Sequence, residues 1–82
     1  MSRIKKLYER IKNNPANVNY DDLMTLLDRC GYKLRPTSGW SHRWFFKKDC
    51  EPIHFPENRP IREVYVRRII KVLEKNCDID EL

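Results

Sequence analysis

The chain of 82 residues carries 17 Lys and Arg against 12 Asp and Glu, which gives a formal net charge of +5. Its length excludes most multi-domain arrangements, and its aromatic content of 11% with regular apolar spacing excludes a disordered tail. No run approaches the roughly 20 apolar residues of a membrane span, and no apolar stretch follows the basic first residues. We therefore expect a cytoplasmic protein without a secretory signal, whose three cysteines are reduced.

Two amphipathic helices are predicted in the first third of the chain. In each segment, apolar residues at i, i+3, i+4 and i+7 mark one helical face. The first set is Ile4, Leu7, Tyr8 and Ile11, and the second is Leu23, Leu26, Leu27 and Cys30. Pro15 ends the first helix, whereas Asn19 caps the start of the second and Gly31 stops it.

Three short strands are predicted next, because the apolar period changes and turn residues separate the segments. Residues 32–35 alternate as a half-buried strand does, residues 41–47 are rich in aromatics, and residues 53–55 form a third strand closed by Pro56. Two hairpins in series predict a three-stranded antiparallel meander.

A long final helix is predicted over residues 61–74, directly after Pro60. Its apolar face is Tyr65, Val66, Ile69, Ile70 and Leu73. The order α, α, β, β, β, α predicts an α+β two-layer fold, with helices on one face of the sheet and the other face open to a ligand. We expect the acidic end of the chain, residues 77–82, to fray.

The orientation of the second strand decides what the open face presents. Alternation places His42, Trp44 and Phe46 on one face and Arg43, Phe45 and Lys47 on the other. The all-aromatic composition of the first face favours it as the core side, but a bulge near Gly39 would detach His42 from that pattern. The sequence leaves the choice open.

Basic and aromatic residues interleave between Gly31 and Lys48, where no acidic residue occurs. Lys and Arg neutralise phosphates and aromatic faces stack on unpaired bases, so this mixture suits RNA. An acidic protein partner would explain the charge equally well. The candidate RNA contacts are Lys33, Arg35, Trp40, Arg43, Lys47, Lys48, Arg67 and Arg68.

Catalytic chemistry is sparse in this sequence. There is no Walker loop and no paired-carboxylate motif, and Cys50 with His54 would need two further ligands to hold zinc. We expect no metal and no cofactor. His42 follows a Gly-containing turn inside the basic segment, where an imidazole could exchange a proton with a ribose hydroxyl or a leaving oxygen. The alternative is a structural strand histidine.

The run from Gly39 to Phe45, which reads Gly-Trp-Ser-His-Arg-Trp-Phe, resembles the Gly-Ser-His signature of HicA toxins. It is closer to the variant with one more residue after the glycine, and Trp40 stands where a small residue is usual. Residues 22–32, 52–56 and 59–66 are also similar to segments of that family. The resemblance covers about residues 19–76.

The HicA resemblance implies an mRNA interferase with a fold like that of a double-stranded RNA-binding domain. It implies that His42 is catalytic, that Gly39 and Ser41 shape the loop presenting it, and that a HicB-like antitoxin covers the site. Residues 19–76 would form the family domain, residues 1–14 an added helical extension that covers the core or contacts another protomer, and residues 77–82 an acidic tail. The alternatives are a non-catalytic RNA-binding module and a protein-interaction domain with a basic face.

Overall fold

The computed structural model describes residues 3–35, 42–56 and 60–81. It contains α1 (Arg3–Asn13), α2 (Tyr20–Arg29), β1 (Lys33–Arg35), β2 (His42–Phe46), β3 (Ile53–Pro56) and α3 (Glu63–Asn76). Short 3-10 turns occur at Pro15–Asn17 and Ile79–Glu81. Within the described ranges, no helix combines the length and the apolar character needed to cross a bilayer.

The sheet is a three-stranded antiparallel meander in the order β1-β2-β3, as predicted. Phe45 of β2 lies opposite Leu34 of β1 and opposite Ile53 of β3. The helices pack on one side of this sheet, so the α+β class and the α-β-β-β-α order with an additional N-terminal helix are confirmed.

One apolar core joins all three helices to the sheet. Ile4 and Ile11 of α1 are as buried as the residues of the other elements, so α1 is part of the core. The remaining helix and strand residues of this core are Tyr20, Leu23, Leu26, Leu27, Phe45, Ile53, Phe55, Val66, Ile69, Ile70 and Leu73. Burial of α1 agrees with its expected role as cover for the core.

The ends of α2 follow from its sequence. The Asn19 side chain accepts a hydrogen bond of 2.8 Å from the backbone N–H of Asp21 and so caps the first turn. At the other end Gly31 has a φ of +94°, and its N–H donates to the carbonyl of Asp28. The N–H of Tyr32 donates to the carbonyl of Leu27, which completes a Schellman motif. The sequence predicted both the Asn19 cap and the Gly31 stop.

Three local expectations differ from the structure. Helix α3 begins at Glu63 rather than residue 61, because Ile61 is buried in an antiparallel bridge to Val18. Strand β1 is not half-buried: Leu34 is 50% exposed, although it lies opposite the buried Phe45, whereas Ile53 and Phe55 of the other edge strand, β3, are buried. The acidic end packs back against α1, with Ile79 buried and Lys5 Nζ 3.0 Å from Asp80 Oδ1.

Candidate functional site

The aromatic face of β2 is the outer face of the sheet. Phe45 is 2% exposed and its ring stacks on that of Phe55, with centroids 5.5 Å apart and planes 7° apart. Since neighbouring residues of a strand point to opposite faces, His42, Trp44 and Phe46 lie on the side away from the helices. The orientation that the sequence left open is thus the one opposite to that favoured by the aromatic composition of this face.

The apolar residues of β3 explain this orientation. Ile53 and Phe55 are both buried, and the register sets them opposite Phe45 and Arg43. The face of β2 on the same side of the sheet as Ile53 and Phe55 must therefore point toward the core. This face carries Phe45 between the two cations Arg43 and Lys47. This constraint on the orientation of β2 comes from its pairing with β3 and is not visible in the sequence of β2 itself.

Four rings form a continuous row on the outer face, which we call the aromatic ladder: His42, His54, Trp44 and Phe46. His54 lies opposite Trp44 in the register, and their rings stack with centroids 4.4 Å apart. The Trp44 and Phe46 rings are 6.1 Å apart and nearly parallel. The His42 and His54 rings are 5.8 Å apart and tilted by 48°. The ladder thus joins two imidazoles to a stacked aromatic surface.

Two cations from β1 border the ladder. Arg35 lies opposite Trp44, and its Cζ is 4.9 Å from the centroid of the Phe46 ring, a cation–π arrangement. Lys33 lies opposite Phe46, and its Nζ is 2.8 Å from Asp28 Oδ1. This hydrogen-bonded ammonium holds the pKa of the Asp28 carboxyl below its usual value. The charge of Lys33 is thus offset by Asp28, and the positive charge at the Phe46 end of the ladder comes from Arg35.

His42 itself is half-buried at the first residue of β2, opposite Pro56, and is outside the apolar core. The other members of the Gly-Ser-His signature, Gly39 and Ser41, lie outside the described residues, as does Trp40.

The other predicted cations do not join the ladder. Arg43 is on the face of β2 that carries Phe45. Lys47 Nζ donates a 2.7 Å hydrogen bond to the carbonyl of Asn76, at the end of α3. Arg67 pairs with Glu63 along α3, with Nε 2.6 Å from Oε2. Arg68 is exposed on the same helix, and Lys48 is exposed in the turn after β2.

The predicted site residues are therefore spread over the molecule. Lys33, Arg35 and His42 share the outer face, whereas Arg67 and Arg68 belong to the helical layer on the other side of the sheet. Arg43, Lys47 and Lys48 belong to neither group. A single bound strand lying flat on the ladder would meet the first group alone.

Trp44, Phe46 and His54 were not among the predicted site residues. The i, i+2 spacing of Trp44 and Phe46 on β2 is visible in the sequence, whereas the register that brings His54 opposite Trp44 is seen only in the paired strands. His54 also faces away from Cys50, which packs against the core, so these two side chains form no metal pair. Among the described residues, no three His, Cys, Asp or Glu side chains are grouped as metal ligands.

Two of the three thiols, Cys30 and Cys77, lie at the ends of α2 and α3, away from the ladder. Burial raises the pKa of the Cys30 thiol to about 12, and a hydrogen bond with the Cys77 thiol adds to the effect. A thiol held in its protonated form is a poor nucleophile, so Cys30 has the properties of a core residue.

No protein-family model, curated protein or solved structure matches this chain.

Proposed function

We propose that this chain is a HicA-like endoribonuclease toxin that binds mRNA on the outer face of its sheet and cleaves it without a metal, with His42 as a general acid or base. The observation that carries the proposal is the aromatic ladder, in which His42 is at one end of a row of rings and Arg35 lies over Phe46 at the other end. The site thus combines a group for proton transfer, surfaces for bases and charge for phosphates.

Each part of the site has a chemical counterpart in single-stranded RNA. Aromatic rings on an exposed sheet stack on unpaired bases, at about 1–3 kcal/mol per base. Phe46 and His54 are exposed and offer such rings. The Arg35 guanidinium would contact a phosphate along the bound strand, and the Lys33 ammonium would do so by exchanging Asp28 for a phosphate. An imidazole ionises close enough to neutral pH to give or take a proton.

The remaining parts of the proposal follow from the HicA resemblance. The toxin would act in the cytoplasm, its fold would be of the double-stranded RNA-binding type, and a HicB-like antitoxin would cover the site. The α-β-β-β-α order and the net charge of +5 are compatible with these expectations. An antitoxin that covers the ladder would have to match its aromatic and basic character with an acidic, partly apolar surface.

Expression in a bacterium without the antitoxin tests this proposal. The native chain is expected to arrest growth and fragment mRNA, whereas His42→Ala at the same protein level is not. Lys71→Gln, on the exposed side of α3, serves as a matched surface control and should remain toxic. Equal growth arrest and equal mRNA fragmentation by His42→Ala would remove His42 from the mechanism.

A non-catalytic RNA-binding module is the second candidate, since stacked aromatic residues on a sheet bind RNA without any chemistry. It predicts salt-dependent retention of RNA that stays intact after long incubation with the native chain. Cleavage products that disappear with His42→Ala would decide against it.

A further inference from the structure

The second histidine of the chain, His54, lies next to His42, where a second group for proton transfer could act. His54 is exposed on the outer face, and its ring is stacked on Trp44 with centroids 4.4 Å apart, which restricts how the imidazole can turn. The same ring is 5.8 Å from that of His42, on the neighbouring strand. The two imidazoles of this chain are therefore adjacent on one open surface.

Cleavage of RNA without a metal needs two proton transfers at opposite sides of phosphorus. The 2′-oxygen attacks and the 5′-oxygen leaves in line with it, so one side chain cannot easily serve both atoms in one step. A group that transfers a proton works at about 2.6–3.2 Å from the oxygen concerned. Two imidazoles whose ring centroids are 5.8 Å apart can each face one of these oxygens when the phosphate lies over the pair, on the open side of the sheet.

We propose that His42 and His54 form a two-imidazole acid–base site for a single-stranded ribonucleotide phosphodiester; this rests on the proposed nuclease function. The neutral imidazole takes the proton of the 2′-hydroxyl while the 2′-oxygen bonds to phosphorus. The bond from phosphorus to the 5′-oxygen breaks, and the protonated imidazole gives its proton to that oxygen. The products are a 2′,3′-cyclic phosphate and a 5′-hydroxyl, with no change in oxidation state.

The described cations of the outer face lie at the Phe46 end of the ladder rather than beside the two imidazoles. Arg35 Cζ is over the Phe46 ring, and Lys33, opposite Phe46, is paired with Asp28 of α2. The protonated imidazole would itself meet the negative charge of the reacting phosphodiester, and Arg35 would contact a phosphate farther along the bound strand. Because the reaction needs one neutral and one protonated ring, its rate should fall at both low and high pH.

The variant His54→Phe tests this assignment, since a phenyl ring can keep the stack on Trp44 but cannot transfer a proton. We expect it to keep RNA binding, weakened only by the loss of one ionisable ring, and to cleave RNA about 10²–10⁴-fold more slowly at saturating protein, with one limb of the bell-shaped pH profile lost. His54→Gln provides a second variant in case the phenyl ring lowers solubility, because the Gln side chain is polar and also cannot transfer a proton at neutral pH.

A substrate with an activated leaving group distinguishes catalysis from positioning. A nucleoside 3′-nitrophenyl phosphate needs no proton on its leaving oxygen, so the variant that lacks the acid should recover to within about tenfold of the native rate, while the variant that lacks the base should not. The comparison of His54→Phe with His42→Ala thereby shows which histidine is the general acid and which is the general base.

The possible outcomes are distinct. Native cleavage that His42→Ala abolishes and His54→Phe leaves unchanged, with both pH limbs intact, would overturn the two-imidazole site and leave the nuclease function standing. Slow cleavage by His54→Phe of both substrates to the same extent, with an unchanged pH profile, would reduce His54 to a positioning residue and also overturn the proposal. No cleavage of either substrate by the native chain would overturn both proposals.

Discussion

Two adjacent phenylalanines of β2 test the orientation that places His42 on the open face. Phe45 is 2% exposed and packs on Phe55, whereas Phe46 is 37% exposed and contacts Trp44 and Arg35. The same substitution, Phe→Leu, at each position keeps an apolar side chain in the strand. If the orientation is right, the two variants should differ strongly in stability.

The expected cost at Phe45 follows from its burial. Leu has three side-chain carbons fewer than Phe, and at about 0.8 kcal/mol per buried carbon the loss is about 2 kcal/mol. Loss of the stacked pair with Phe55 adds about 0.5–1.5 kcal/mol. Phe46→Leu loses the exposed cation–π contact with Arg35 and part of its contact with Trp44, at a cost of about 1 kcal/mol. The difference is about 2 kcal/mol.

Urea unfolding followed by far-UV circular dichroism measures both variants. A domain of this size is typically stable by about 5–15 kcal/mol, so Phe45→Leu should retain a folded baseline with a midpoint lowered by about 1–3 M. Phe46→Leu should unfold close to the native chain but bind RNA more weakly. Equal costs at the two positions, or a larger cost at Phe46, would refute the orientation of β2 and with it the aromatic ladder.

Three further changes have defined outcomes. Gly31→Ala should lower the unfolding free energy by roughly 1–2 kcal/mol, because φ is +94° there and a Cβ would lie 3.3 Å from Lys47 Cε; an unchanged urea midpoint would contradict this. Folding raises the pKa of the Cys30 thiol from about 9 to about 12, so above pH 9 the unfolded chain loses a proton that the folded chain retains. The free energy of unfolding in urea should therefore fall as the pH rises above 9, and it should fall less steeply in Cys30→Ala. Arg35→Gln should reduce the salt slope of RNA binding by about 0.7, and Lys71→Gln should not; equal slopes would exclude Arg35 as a phosphate contact.

The elements of this fold could be predicted because each has a local cause. The caps of α2, the proline after α1 and the turn residues between strands act within a few positions of the chain. The start of α3 could not be found in this way, because Ile61 is taken by a bridge to Val18, more than forty positions earlier in the chain. A partner distant in sequence leaves no local pattern.

The site could be predicted only in part, because some of its features are local in the sequence and others depend on how the strands pair. The basic and aromatic character of residues 32–48 is visible in the sequence, and so is the histidine after the turn. Which face of β2 is buried depends on Ile53 and Phe55, and the approach of His54 to His42 depends on the register of β2 with β3. Those are properties of strand pairing, so the aromatic ladder could be recognised only in the structure.

Single-turnover cleavage of a defined single-stranded RNA in the presence of EDTA tests the central claim most directly. The native chain should cleave it to products with a 2′,3′-cyclic phosphate and a 5′-hydroxyl, and His42→Ala should do so at least about 100-fold more slowly. RNA that is bound but stays intact with the native chain, or cleavage at the same rate by His42→Ala, would contradict the account.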